Sequence, residues 1–419
     1  MKTQTKKVVV IGAGIVGVST AIWLLRAGHE VTLIDRSAPG EGTSYGNAGI
    51  LASCATLPVT TPGLLRKVPS MAFRRNRPLF MKWSKLPALL PWLIRYLRYA
   101  NGEAASYRAK ALLPLIGDSL PDHQDLAKGT GAEDWIVPCE YVYGYGSRSD
   151  FDADRFAWDI RRESGFGFEQ LAGDEFRSYD PIFSDEIGYA AVLSGHGRIC
   201  DPGRYVKDLA AHAVSQGARL IQAEVQELAV QNDRVLGVRA SGNFISSDAV
   251  VLTAGVWSDK LARQLGLKVP MQAESGFHME LWEPSVMPRS PLMVANAKFA
   301  ITPMKGRIRL AGLTGFGRIG SDPPEAPYKL FESYLRRLIP GLTWKETKRW
   351  MGHRPSIVDS LPLIGSAPRV SGAFVGFGHD HVGLTAGPQT GRILAQLVSE
   401  KRLNIDIAPF APDRFSNPP

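Results

Sequence analysis

Cysteine, long apolar runs and, over one stretch, acidic residues are scarce in this 419-residue chain. Its three cysteines, Cys54, Cys139 and Cys200, stand far apart and form no C-x-x-C pair. That spacing excludes a disulfide scaffold and a thiol-based zinc site, and it fits free thiols in a reducing compartment. No run of about eighteen apolar residues occurs, so a membrane-spanning helix is not expected. The opening residues, MKTQTKK, lack the apolar core of a signal peptide, so a cytoplasmic location is expected. Apolar content of 44% and charged content of 21% belong to a globular protein and exclude a disordered one.

The acid gap runs from Gly42 to Gly102, where no Asp or Glu occurs. The same stretch holds Arg66, Lys67, Arg74, Arg75, Arg77, Lys82, Lys85, Arg95 and Arg98, enough to supply the whole net charge of +9. Among them lie Leu64, Leu65, Met71, Phe73, Phe80, Trp83, Leu89, Leu90, Trp92, Leu93 and Ile94. Cations mixed with Trp and Leu suit an anionic membrane surface. The alternative is a cationic covering element with its apolar residues packed inward. A nucleic-acid partner is not expected, because bulky aliphatics outnumber base-reading polar residues.

The most specific feature is at the start. Lys7–Ile11 (KVVVI) reads as a buried parallel strand. It leads into Gly12-Ala13-Gly14-Ile15-Val16-Gly17, a complete G-x-G-x-x-G, and then into an apolar helical stretch closed by Gly28. Glu30 to Ile34 reads as a second strand, with Asp35 and Arg36 at its end. Gly12 allows the tight turn, Gly14 admits a pyrophosphate, and Gly17 lets helix and sheet close up. The helix N-terminus favours the anion, and an acid at position 35 can accept from ribose hydroxyls. Flanked by strand, helix, strand and acid, the motif points to an adenine dinucleotide.

Further along, a loop rich in Gly, Ser and Asn covers 40–49, and helical spacing runs from Ala104 to Lys128 with interruptions near Pro114 and Pro121. Asp201-Pro202 signals a capped helix. Gln226 to Ser247 alternates like a hairpin turning at Asn232-Asp233, and Asp248 to Leu252 is again a parallel-type strand. From Met271 to Gly317 the chain alternates as antiparallel strands, with Phe277, Met279 and Leu281 on one face and His278, Glu280 and Trp282 on the other. Tyr328 to Leu338 is an amphipathic helix. The strand ending in TAGVWS, with Ala254, Gly255 and Trp257, and the C-terminal strand, loop and helix all return to the nucleotide-binding part. The helix after GHDHVGLT can meet the pyrimidine edge of a flavin, where negative charge develops on reduction. FAD is therefore expected rather than NAD.

These pieces carry a resemblance. VVVIGAGIVGVSTAIWLLRAGHEVTLIDR, GTSYGNAGIL, ITPMKGRIRLAG, MGHRPSIVDSLPLIG and GHDHVGLTAGPQTG together resemble the glycine oxidase and D-amino-acid oxidase superfamily. Within it the chain looks most like bacterial D-amino-acid dehydrogenases and glyphosate oxidoreductase-like proteins. The resemblance implies an α/β plus α+β fold: a Rossmann-type FAD-binding domain (1–56, 198–260 and 350–419) interrupted by an antiparallel-sheet substrate domain (57–197 and 261–349). It implies non-covalent FAD, since no cysteine lies in the C-terminal motifs. Flavin contacts fall on Thr43, Ser44, Asn47, Ala48 and Gly49, and on Gly378, His379, Gly383, Leu384 and Thr385. The adenine falls near Val225.

The implied reaction moves a hydride from an amino acid's Cα to flavin N5. D-Amino-acid dehydrogenation leads, and oxidation of secondary amines or N-substituted glycines is the alternative, as is a flavin subunit of a larger complex. Arg309 matches the family's arginine over the flavin and is expected to clamp a carboxylate, with Arg307 on the same face. His353 and His278 are further candidates to face substrate. No metal is expected at His379 and His381, which lie in a glycine loop without a suitable ligand set. A quinone or other respiratory-chain acceptor at the inner membrane face completes the expectation.

Overall fold

The computed structural model describes residues 4–57, 79–81 and 86–416. Its first sheet has the order Leu363–Ser366, Ala373–Phe377, Ala249–Leu252, Lys7–Ile11, Glu30–Asp35, Arg219–Gln222. The four pairings inward from Ala373–Phe377 are parallel, and Leu363–Ser366 adds an antiparallel edge. Lys7–Ile11 sits in the middle. Val8, Val9 and Val10 are buried on alternating faces, as a run of valines in a covered parallel sheet must be. The helices Ile15–Arg26 and Gly383–Val398 pack together on one face of this sheet.

The second sheet has ten strands. Its main order is Glu346–Ile357, Met271–Trp282, Arg307–Phe316, Phe299–Met304, Leu292–Val294, Ile136–Tyr145, Tyr189–Ile199, Ile50–Leu51. The alternation expected for Met271–Trp282 is present. Phe277, Met279 and Leu281 join Phe299, Ile301, Ile308 and Leu310 under the helix Ala326–Leu338, whose Phe331 and Leu335 fill the same core.

Several expectations need correction. The hairpin after Gln226 gains a third strand, giving Val225–Gln231, Arg234–Ala240 and Asn243–Ser246. Asn232 and Asp233 do take the left-handed turn, at φ +49° and +57°. Pro121 does not break a helix. It lies in the first turn of Ser119–Ala127, where no intrahelical N–H is needed. Two of the expected domain boundaries, at 198 and 350, fall inside continuous strands. Ile50–Leu51, assigned to the FAD-binding part, pairs within the ten-stranded sheet.

The basic stretch is described only in part, and Arg66 through Arg77, Lys82, Trp83 and Lys85 lie outside the described residues. Leu86–Arg98 is a helix. Trp92, expected as a membrane tooth, is buried. Its indole donates to Pro270 O (3.1 Å) and stacks on Tyr96. Helical geometry turns Leu89, Trp92 and Tyr96 inward and leaves Leu90 and Ile94 exposed.

Candidate active site

The glycine turn closes tightly. Gly12 has φ +107°, and a Cβ there would lie 2.6 Å from Thr253 O. A Cβ on Gly17 would lie 1.8 Å from Gly12 O, so both positions admit glycine alone. At Gly14 a Cβ would meet only Ser44 Oγ, at 3.3 Å, because that side opens into a cavity. The following helix has no acidic residue in its first turn, and the Ile15 amide donates to Ser44 Oγ (3.0 Å). Asp35 accepts from the amides of Ala13 (2.7 Å) and Ser37 (2.9 Å), which fixes its carboxylate at the strand end. Arg36 lies over the Trp257 ring at 3.8 Å.

The cavity, about 580 Å³, runs from this turn toward the ten-stranded sheet. Of the expected cofactor residues, Gly12, Gly14, Ile15, Val16, Asp35, Arg36, Thr43, Ser44, Asn47 and Ala48 line it. So do Val225, Ala254, Gly255, Trp257, Gly378, His379, Gly383, Leu384 and Thr385. Gly17 and Gly49 lie behind the lining. The open side of Gly14, the helix terminus free of acid and the fixed Asp35 carboxylate suit a pyrophosphate and ribose. The elongated cavity beyond them suits the rest of FAD.

At the far end the loop after Phe377 enters the helix Gly383–Val398. Pro388 lies in this helix and has no N–H for Leu384 O, its partner four residues back. His123 supplies the missing donor: Nε2 lies 2.9 Å from Leu384 O, and Nδ1 accepts from Tyr205 OH (2.8 Å). Ser119 Oγ donates to Thr385 O (2.9 Å). Burial pushes the His123 imidazole down to about 4, so it holds these contacts neutral. His379 is likewise lowered to about 4 by burial and meets Thr390 Oγ1 at 3.0 Å.

Arg354, Asp380 and His381 line the same end. Arg354 Nη1 donates to Glu274 Oε1 (2.8 Å), and Ser356 Oγ bridges Glu274 Oε2 (3.0 Å) and Asp380 Oδ1 (2.9 Å). Burial alone would raise the Glu274 carboxyl, but His381 and Arg354 reverse this and hold it well below the usual range. Asp380 adopts φ +48°, a conformation natural to glycine and tolerated by Asp and Asn.

Arg309, expected as the carboxylate clamp, does not face the cavity: it is fully buried and outside the lining. Its Nε and Nη2 donate to Glu280 Oε1 (3.0 and 2.6 Å), and its Nη1 donates to Tyr45 O and Asn47 O. Arg307 is spent on Glu280 (2.6 Å), Asp201 (3.0 Å) and Lys305 O. The cause is register: Glu280 stands directly opposite Arg309 across the strand pair. Arg309 thus holds the 45–47 loop from behind. His278 is also buried, stacked on Trp350 (5.0 Å) and 3.2 Å from Gly46 O, and burial lowers it to about 3. His353 accepts Thr43 Oγ1 on its carbonyl, and its ring does not line the cavity.

Arg354, a cation that does line the far end of the cavity, is not among the residues singled out from the sequence, although a signal is there. Strand alternation puts Trp350, Gly352 and Arg354 on one face and His353 on the other. Glu274 then pairs in register with Arg354.

Comparison with known proteins agrees with this geometry. The family profile for FAD dependent oxidoreductase matches residues 7–397. A D-amino-acid oxidase of Bradyrhizobium diazoefficiens is 37% identical, over 98% of this chain and 99% of that protein. A D-amino acid dehydrogenase of Rhizobium rhizogenes is 29% identical, over 98% and 100%. The structure of glycine oxidase from Geobacillus kaustophilus superposes with a TM-score of 0.75 at 22% identity, covering 98% of this chain and 99% of that one. A match across nearly the whole chain, on a cavity that fits the dinucleotide, places this protein in the family of FAD-dependent oxidoreductases.

Proposed function

We propose that the protein oxidises D-amino acids at the Cα–N bond. The observation that carries this reading is Arg354 at the far end of the dinucleotide cavity, a planar cation suited to a carboxylate, in a chain related to a D-amino-acid oxidase and a D-amino acid dehydrogenase. FAD held by the glycine turn and the 378–385 loop would supply the two-electron acceptor for a hydride leaving Cα. The protein's part is positioning, with the carboxylate on Arg354 and the Cα–H held against the cofactor. The imine product then hydrolyses to a 2-oxo acid. The test is anaerobic bleaching of the flavin by a panel of D-amino acids, L-amino acids and N-alkyl glycines. Bleaching by D-amino acids is expected, and bleaching by N-alkyl glycines alone would transfer the reading to secondary amines.

The acceptor belongs to the same proposal. No helix among the described residues is long and apolar enough to cross a membrane. The helix Leu86–Arg98 nevertheless exposes Leu90 and Ile94 beside Arg95 and Arg98, next to further cations in the sequence. This supports peripheral contact with an anionic membrane and electron delivery to a quinone. Each cation near such a surface contributes about 1 kcal/mol. Sedimentation with anionic vesicles that salt reverses is expected, and equal sedimentation with neutral vesicles would remove the membrane half of the reading.

A further inference from the structure

The amine chemistry proposed above carries a proton problem. An amino acid arrives as an ammonium, and the nitrogen must free its lone pair before a C=N bond can form as the Cα–H leaves. Below the pH at which the amine arrives neutral, a group at the reacting end that takes this proton speeds the step. Among the described residues, four side chains lining that end are candidates to take it: His379, Tyr141, Asp380 and His381. His379 is spent on Thr390 and kept neutral by burial. Tyr141 is buried, and its phenol is pushed well above its ordinary value. Asp380 and His381 remain. His381 Nε2 lies 3.2 Å from Asp380 Oδ1 and 3.2 Å from Glu274 Oε1, and its side chain keeps 32% of its surface exposed.

We infer that His381, held between Asp380 and Glu274, is the base that takes the substrate ammonium proton. This rests on the amine-oxidation reading. One N–H bond of the ammonium breaks, its electron pair stays on nitrogen, and the proton binds the imidazole. The Cα–H pair then leaves as hydride to FAD, and the imidazolium returns its proton to solvent.

The surroundings fit the task. Glu274 faces the pair from the strand Met271–Trp282, Arg354 and Ser356 from Glu346–Ile357, and Thr314 from Arg307–Phe316, by its bond to Glu274. Tyr96 approaches from the helix Leu86–Arg98, with Arg108 beyond it. Two carboxylates thus face one guanidinium, so the cluster balances when His381 is protonated and is one negative charge in excess when it is not. Burial lowers the His381 imidazole, but Glu274 and Asp380 outweigh it and raise it above its ordinary value. A stronger base is better matched to an ammonium.

The experiment is stopped-flow reduction of the FAD-bound enzyme by a D-amino acid from about pH 6 to 10, in wild type, His381→Gln and Asp380→Asn. Asn tolerates the positive φ at 380, and visible absorbance reports FAD content in each protein. In wild type the reduction rate should rise through a limb above neutral pH. His381→Gln should lose about 10²-fold near pH 8 and recover toward pH 10, where the amine arrives neutral. Asp380→Asn should move the limb to lower pH, because His381 loses one of its two carboxylates. Bleaching with an unmoved limb in both variants, or an equal loss at every pH, overturns the inference alone. A wild-type flavin that no amino acid or N-alkyl glycine bleaches overturns the amine-oxidation reading beneath it.

Discussion

Single side chains at this site divide into those that face the cavity and those that hold its wall, and substitutions should separate the two. Arg354→Ala removes a charge-assisted contact of about 1.5–3 kcal/mol, so the substrate constant should weaken roughly tenfold to a hundredfold. Arg354→Lys should not restore it, since the planar fork is lost. Steady-state kinetics check this, and unchanged constants in both variants would remove Arg354 from substrate binding. Glu280 is different. Burial would raise its carboxyl, but Arg309 and Arg307 bring it down to about 2. A carboxyl depressed in the folded state stabilises fully above the usual carboxylate range, and that stability is lost as pH falls through about 2. Glu280→Gln leaves two buried guanidiniums without their shared anion, at a cost of about 3–5 kcal/mol. Denaturant unfolding at pH 7 should show this difference, and the gap to wild type should narrow toward pH 2. Gly14→Val should leave the apo fold intact, because only Ser44 Oγ is near. Its branched side chain would fill the space a pyrophosphate needs, so the purified variant should be colourless, and stoichiometric FAD in it would contradict this placement.

Among the elements, the helix Ser119–Ala127 has the least obvious task. Pro388 deprives the cofactor-facing helix of one internal bond, and His123 replaces it from outside. Asp125 adds an ion pair to Arg392 two turns further on (2.5 Å). His123→Ala would leave Leu384 O buried without a donor, costing about 1–3 kcal/mol. FAD affinity, read by flavin fluorescence on titration of apoprotein, should fall with thermal stability, and an unchanged affinity would show that the brace is not transmitted to the site. None of this was legible beforehand, because it depends on two helices about 260 residues apart in the chain. The elements themselves were legible. KVVVI, the glycine turn, the Asp201 cap and the alternation of Met271–Trp282 all stand where local pattern puts them. The placement of Arg309 and His353 behind the cavity wall is not written in the local pattern, for one reason. A strand's period shows which residues share a face, but not whether that face meets ligand or a buried partner. Each arginine faces a glutamate across its strand pair, Arg309 with Glu280 and Arg354 with Glu274, and only the folded position of the strands leaves Arg354 at the cavity and Arg309 behind it.

In the whole molecule, the composition foretold a globular protein, and the motifs with the family resemblance an FAD-binding one in two parts, but not how the chain crosses between them. The first sheet takes its strands from 7–35, 219–252 and 363–377, and the second from the stretches between, with Ile50–Leu51 and Glu346–Ile357 crossing the expected boundaries. Such non-local pairing folds slowly, because loops must close before contacts form. A chain cut at residue 370 keeps the whole glycine turn but lacks the strand Ala373–Phe377, the loop after it and the helix Gly383–Val398. It should bind no FAD, as equilibrium dialysis would show, and near-stoichiometric binding would mean that the opening unit holds the dinucleotide by itself. The cavity has walls from both ends of the chain, Gly12 to Val16 on one side and Gly376 to Thr385 on the other. During synthesis, then, the cofactor meets no finished site until the helix Gly383–Val398 has left the ribosome. A bound FAD would therefore tie together two pieces of chain more than 350 residues apart in sequence, and its loss would remove that tie along the seam where they meet.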